Sequence, residues 1–531
     1  MDCADLVAGV GLYAGWGSLK AGGKGRRIIP RNLGGFGGEK RGIFHWHRRQ
    51  PFPTESAMSE FAFRPNTLYH GDCLDVMRNW RDVSVDLIYL DPPFNSSAQY
   101  NILFGKDTEG NPRDPMAQFT AFKDTWYWTR EADESVEKIK GALGHPAHKA
   151  IRGLAEMLPE TGMLAYLVYM AERLAEMHRI LKDSGSIYLH CDPTASHYLK
   201  TIMDDIFGAD NFRNEIVWAY SKPRNTKYKF LAGHDIILFY AKGKNVFNPI
   251  RVARKVEYKS GYVRKRADGT EWTPASEGRL CTDTFTDIGN TYHMPKKERL
   301  GYPTQKPLAL LERIVTASSN EGDIVLDTFC GCGTTAHAAY NLKRKFLGID
   351  ISPFAITRIC KDRLKEAEGL EVRGLPTDLQ SAHAMWKNDP FKFERWAVTT
   401  LPGFLPNDIQ TGDGGIDGRG LMLNPPEGED GLVVAQVKGG SFTPDQLRAF
   451  LSKVKGKKVS MGVFVTLEKV KPTPTMHKVQ AEAGTFAKGA TKFDRIQFWS
   501  IAEHFEKAHP PLPAMRDPGT GGGMQETIPT E

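Results

Sequence analysis

The sequence predicts an α/β protein built on a parallel sheet, with a second, smaller α/β domain behind it. Three observations predict this. Short apolar runs with β-branched residues alternate with helix-length amphipathic stretches. Two of those runs end in an acid followed by a distinctive loop: Val85 to Leu90 leads into Asp91-Pro92-Pro93-Phe94, and Ile324 to Leu326 leads into Asp327 and a Gly-x-Gly turn. A chain of 531 residues is also too long for one core.

The stretch Gly322 to Ser352 reads as strand, glycine loop, helix, strand. Ile324-Val325-Leu326 is the first strand, Phe329-Cys330-Gly331-Cys332-Gly333 the loop, Thr334 to Tyr340 the helix, and Phe346 to Ile349 the second strand, ending in Asp350. Gly331 and Gly333 let the backbone approach a ligand where a Cβ would collide, and the loop delivers that ligand to a helix N-terminus. Asp350, at the tip of the next strand, is placed to take both hydroxyls of a ribose. The pattern implies a pocket for an adenosine-type cofactor. The third glycine of a dinucleotide fingerprint is missing, which counts against a nicotinamide.

Composition sets the remaining bounds. Apolar content of 40% and charged content of 25% are those of a globular protein, and no apolar run reaches membrane-spanning length. The net charge of +7 permits a polyanionic partner. The seven cysteines form no CxxC pair and no disulfide-like spacing, so a reducing, cytoplasmic setting is expected. Residues 1–57 are glycine-rich and basic without periodicity; they are expected to be a disordered extension, with Met58 opening the functional protein.

At Asp91 to Phe94, two consecutive prolines can continue neither a ladder nor a helix. They make a stiff turn at a strand end, with an acid before it and an aromatic ring after it. This suits methylation of an exocyclic amino group, whose lone pair is delocalised into its ring. Asp91 can accept a hydrogen bond from one N–H and the Pro92 carbonyl from the other, Pro93 stiffens the turn, and Phe94 offers a face for an extruded base.

Asp91 to Phe94, then Thr304-Gln305-Lys306-Pro307, then Asp327 to Gly333, occur in the order of the β-class DNA amino-methyltransferases, which the chain resembles over about residues 66 to 365. The resemblance implies a Rossmann-like class I methyltransferase domain of circularly permuted motif order, with S-adenosylmethionine as cofactor. It implies cofactor contacts from Thr304, Gln305, Lys306, Pro307, Asp327, Phe329, Gly331, Gly333 and Asp350. Phe94 stands where Tyr is common, and Cys332 where Ser is common. The DPP[YF] form is usual for adenine N6, so adenine is favoured over cytosine N4. Between the motifs, thirteen Lys and Arg lie from Lys222 to Arg266, interleaved with Tyr228, Phe230, Phe239, Tyr240, Phe247, Tyr258 and Tyr262. There the family reads DNA, which places target recognition at about 214–300 and makes double-stranded DNA the expected partner. A homodimer is allowed and a membrane partner is not expected.

Phe122 to Trp128 reads as an aromatic loop that closes over substrate or packs locally. A methyltransferase domain is thus expected over 58–368, a linker over 369–385, a second domain over 386–510 and a disordered tail over 511–531. In that second domain, a Gly-rich turn presents Asp417, and Gln436 and Lys438 alternate along Leu432 to Lys438, so they share a face. This resembles the Mrr-like branch of the PD-(D/E)xK nucleases, a restriction-endonuclease-like fold. There Asp417 and Gln436 would hold Mg²⁺ and Lys438 would orient water.

Overall fold

A computed structural model of the chain describes residues 63–93, 98–103, 118–124, 126–221, 227–228, 230–253, 263–266, 270–272, 278–300, 302, 304–407, 415–456, 459–471 and 473–516. All of these residues belong to one compact unit, Ala57–Glu531. The expected N-terminal extension, Phe94, Tyr258, Tyr262 and the last residues of the tail lie outside the described residues.

Nine strands form the larger sheet: β1 (Thr67–His70), β2 (Val85–Leu90), β3 (Leu181–Cys191), β4 (Phe212–Ala219), β5 (His234–Ala241), β6 (Thr284–Phe285), β7 (Ile324–Asp327), β8 (Lys345–Asp350) and β9 (Glu371–Arg373). Their order across the sheet is β6-β4-β5-β3-β2-β7-β8-β1-β9. All run parallel except β5, which is antiparallel to both its neighbours. Parallel strands covered on both faces are largely apolar, and so is β2 apart from Asp86, which pairs with Lys182: Ile88 and Leu90 enter one core, Leu87 and Tyr89 the other.

Helices α1 (Cys73–Arg78), α2 (Gly162–Ile180) and α3 (Ser196–Phe207) cover the first face. Helices α4 (Leu308–Ser318) and α5 (Thr334–Asn341) cover the second. Thr161 caps α2 by accepting from the Leu164 N–H. Gly162 beside it is required by crowding, since a Cβ there would stand 2.2 Å from the Trp126 carbonyl oxygen.

The smaller sheet comprises β10 (Phe404–Pro406), β11 (Gly418–Leu421), β12 (Leu432–Lys438), β13 (Met461–Thr466) and β14 (Ile496–Ser500), in that order. β11 is antiparallel to β10 and β12, while β12, β13 and β14 are parallel. Helices α6 (Leu379–Asn388) and α7 (Pro390–Thr399) pack on one face, and α8 (Pro444–Gly456) and α9 (Pro474–Ala483) on the other.

Three expectations need correction. Residues 511–516, read as the start of a disordered tail, pack on the smaller domain: Met515 is buried in its core and bridges to Met422, and the Arg516 N–H donates to the Leu421 carbonyl. Residues 369–385, read as a linker, contain β9, which extends the larger sheet beside β1, and the start of α6. The basic stretch read as DNA-facing contains β5, a central strand. Phe239 and Tyr240 are buried on it: Phe239 stacks on Tyr188 and the Tyr240 hydroxyl donates to Asp204. The interleaved aromatics therefore divide between core and surface, because HDIILFYA is an apolar run embedded in a charged neighbourhood.

Candidate active site

The order of the larger sheet turns between β2 and β7. The strand after β2 lies to one side of that pair, and the strand after β7 lies to the other. Ligands of open α/β sheets bind at such a point, outside the carboxyl ends of the strands. One cavity of about 340 Å³ opens there, within the range of small-molecule sites. Asp91, Pro92 and Pro93 after β2 line it, with Thr304, Gln305 and Lys306. So do Asp327, Phe329 and Gly331 after β7, and Asp350 at the tip of β8. The structure thus brings together residues more than 200 positions apart in the chain. Of the remaining expected residues, Gly333 and Pro307 stand just behind the wall, at the N-caps of α5 and α4.

The glycine loop is held from below. Gly331 and Gly333 have φ of +47° and +72°, the left-handed region that glycine reaches most easily. The Gly331 N–H donates to Asp350 Oδ2 (2.7 Å), and the Ser352 N–H donates to Oδ1 (2.8 Å). An ionised carboxylate has about four acceptor positions, so Asp350 keeps capacity for hydroxyls. Burial raises its pKa, opposed by these two bonds. Ile351 beside it is 63% exposed and lines the cavity, an apolar face next to an acceptor.

Asp327 accepts from the Phe329 N–H and from the Thr335 hydroxyl. Burial nevertheless lifts its carboxyl to about 7. After β8 the chain enters a π-helical turn, Ala355–Cys360. It sets the Cys360 thiol to donate to the Gly331 carbonyl (3.1 Å).

Segment 304–307 divides its tasks. Thr304 adopts φ +61°, costly for a β-branched residue and a mark of an over-determined turn. Gln305 is buried with its amide committed to backbone: Nε2 donates to the Glu298 carbonyl and Oε1 accepts from the Leu300 N–H. Gln305 therefore braces this turn. Lys306 donates to Asp91 Oδ2 in an ion pair largely shielded from water. Asp91 Oδ1, by contrast, is buried and has no hydrogen-bond partner among the described residues. A buried acceptor left open costs of the order of 1–3 kcal/mol, so it marks a place where a donor is to be received.

A buried chain that sequence reasoning did not assign lies behind Asp91. The Tyr89 hydroxyl stands 2.8 Å from His190 Nδ1, His190 Nε2 stands 3.3 Å from Asp235 Oδ2, and the Tyr220 hydroxyl donates to Asp235 Oδ1 (2.7 Å). Burial alone would raise Asp235, but the His190 bond and charge, the Lys306 charge and the Tyr220 bond outweigh it and hold the acid at about 2. Burial pushes the Tyr89 phenol upward, and the neighbouring acids add to this, so Tyr89 keeps its proton. His190 at a strand end and the apolar run of β5 were the available signals, but nothing in the sequence joined them.

Elsewhere, Trp126 packs on Tyr166 and Tyr169, so this part of the aromatic stretch is local packing. Tyr228 and Phe230 are 97% and 100% exposed amid the basic stretch. In the smaller domain, Asp417 Oδ2 accepts from the Val437 N–H (2.7 Å), midway between Gln436 and Lys438. Gln436 is buried and its Oε1 has no hydrogen-bond partner among the described residues. Among the described residues, no three His, Cys, Asp or Glu side chains cluster as a metal site. No described helix is long and apolar enough to cross a membrane.

The chain is 32% identical over 257 residues to the type II methyltransferase M.EcaI of Enterobacter cloacae, covering 37% of this chain and 57% of that one. It is 31% identical over 252 residues to the type II methyltransferase M.HpaI of Haemophilus parainfluenzae, covering 46% and 72%. It is 28% identical over 300 residues to the DNA adenine methyltransferase YhdJ of Escherichia coli K12, covering 55% and 81%. The chain thus spans little more than half the length of M.EcaI. The sequence model of the N6/N4 methyltransferase family, described as DNA methylase, matches residues 85–361, more than half of the chain. With its acid-Pro-Pro turn and glycine loop opening on one cavity, this chain belongs to the N6/N4 DNA methyltransferase family.

Proposed function

We propose that the chain transfers a methyl group from S-adenosylmethionine to the N6 of adenine in double-stranded DNA, within a restriction-modification setting. The observation that carries this reading is the open Asp91 Oδ1 beside the glycine loop, in one cavity. The cavity fits the cofactor chemically. Asp350 offers acceptor capacity for ribose hydroxyls and Ile351 an apolar face for a purine. When bound, the cofactor supplies an electrophilic methyl group on sulfonium.

The chain's own residues do the rest. Asp91 Oδ1 accepts one N–H of the target amino group, and the Pro92 carbonyl accepts the other. Together they draw the nitrogen toward tetrahedral geometry and raise its electron density. Lys306 neutralises the other carboxylate oxygen and fixes its direction. The proton released after transfer passes to Asp91. Tyr89, held by His190 and Asp235, stiffens the strand end behind it.

Adenine is favoured by the acid-Pro-Pro-Phe form and by the likeness to YhdJ, an adenine methyltransferase. The motif order fits the circularly permuted class. Lys227, Tyr228 and Phe230 are exposed on the stretch that would meet DNA. Transfer of labelled methyl to DNA, followed by digestion to nucleosides, tests the reading. N6-methyladenine is the expected product; N4-methylcytosine would replace the adenine assignment, and no labelled base at all would remove the activity.

We also infer that the smaller domain has a nuclease-like fold, with Asp417, Gln436 and Lys438 as its former or present site. The support is an antiparallel β11–β12 pair carrying Asp417 against the Gln436–Lys438 strand. One carboxylate and one neutral amide fall short of a Mg²⁺ site, so no cleavage step is derived.

A further inference from the structure

We propose that Arg395, supplied by the smaller domain, binds the adenosine end of the methyl donor, so that two domains complete one cofactor pocket. This rests on the methyl-donor reading above and extends it to a residue outside the family match, which ends at residue 361.

Arg395 lines the same cavity as Asp350, Ile351 and Gly71. It projects from α7, whose Phe393 and Trp396 are anchored in the core of the smaller sheet, so its origin in that domain is fixed by packing. Lys392 and Arg395 are three residues apart on α7 and therefore share a face. The charges of both are felt at His70, at the tip of β1, and that of Arg395 at Asp350.

A second contact holds the domains together at this point. Leu405 of β10 shares a small buried cluster with Tyr302, Cys332, Phe354 and Ala355. Cys332 belongs to the glycine loop itself, and a thiol there suits an apolar partner better than the hydroxyl common at this position. The smaller domain is therefore seated on the cofactor loop.

The chemistry is complementary. A guanidinium can only donate hydrogen bonds, and adenosine offers ring nitrogens and ribose oxygens as acceptors. Asp350, beside it, can only accept when ionised and meets the ribose hydroxyls. Donor and acceptor thus flank the nucleoside from different domains.

The test is calorimetric binding of two probes to the full chain: S-adenosylhomocysteine, and 5′-methylthioadenosine, which lacks the amino-acid end. Arg395→Gln is expected to weaken both probes by the same factor, about tenfold. In methyl transfer the loss is expected in KM for the donor and not in kcat. Arg395→Lys keeps the charge and the stem and is expected to recover part of the loss.

Parental affinity for both probes in Arg395→Gln overturns the proposal. So does a loss confined to S-adenosylhomocysteine, which would put the contact at the other end, or a loss confined to KM for DNA. Equal losses in the Gln and Lys variants with equally lowered melting temperatures would mean a packing role and also overturn it. A parent chain that binds neither probe fails the methyl-donor reading itself, which is a separate outcome.

Discussion

Asp91 directly follows β2 and Asp417 directly precedes β11, each an acid at one end of a strand. Around Asp91, a lysine neutralises one oxygen, the other oxygen remains an open acceptor, and a cavity of about 340 Å³ lies in front. Around Asp417, a backbone N–H takes one oxygen, and the neighbouring strand offers a buried amide and a lysine without a second acid. The difference teaches what a strand-end acid needs in order to serve as the reaction site proposed above. It needs a compensating cation, an acceptor left open and room for a substrate. The first location has all three. At the second, the described residues supply one carboxylate beside a buried amide, and no three metal-ligating side chains cluster there.

Substitutions can break or sharpen this contrast. The largest effect is expected from Asp91→Ala: methyl transfer should fall by roughly 10³-fold, while calorimetric affinity for S-adenosylhomocysteine stays within about threefold. Residual transfer close to that of the parent would mean the open acceptor has no role. Next comes Lys306→Met. Stripping the cation from a shielded carboxylate should destabilise the fold by about 3–5 kcal/mol, read as a lower denaturation midpoint, together with slower transfer. A Lys306→Met variant as stable as the parent would show that the ion pair does not bear on the fold.

The third effect follows from Asp327. Its folded pKa, about 7, lies above the unfolded 3.8. The folded state therefore holds the proton more tightly, so the contribution is full below about pH 4 and is lost as pH rises through 7. Asp327→Asn should flatten the pH dependence of melting temperature in that window. An unchanged slope would contradict the assignment. The smallest effect is expected in the second domain. Gln436→Glu adds the missing charge and should create weak Mg²⁺ binding by calorimetry where the parent shows none. Equal binding in both proteins would erase the contrast.

Much of this was legible in the chain. Val85 to Leu90 and Leu432 to Lys438 read as strands and are strands with those bounds, because each is a short, mostly apolar run rich in β-branched or aromatic residues. The pairing of distant tips was expected from the motifs alone. Asp235 and Tyr89 were not, since their roles come from hydrogen bonds between strands remote in sequence. Arg395 carries no local signal at all: an arginine on an amphipathic helix looks like any solvated cation until the tertiary contact is known. The strand β5 was missed because charge counting averaged over it.

The turn in strand order between β2 and β7 has one more consequence. The chain crosses that seam twice: by the short β1–α1–β2 connection, since β1 lies on the β8 side, and by the long return through the basic stretch to β7. The two walls of the pocket are therefore tied by backbone as well as by ladder hydrogen bonds. A break in the backbone within the basic stretch would leave β1 with the first fragment and its neighbours β8 and β9 with the second, so two separately made fragments would have an interlocking sheet through which to reassemble.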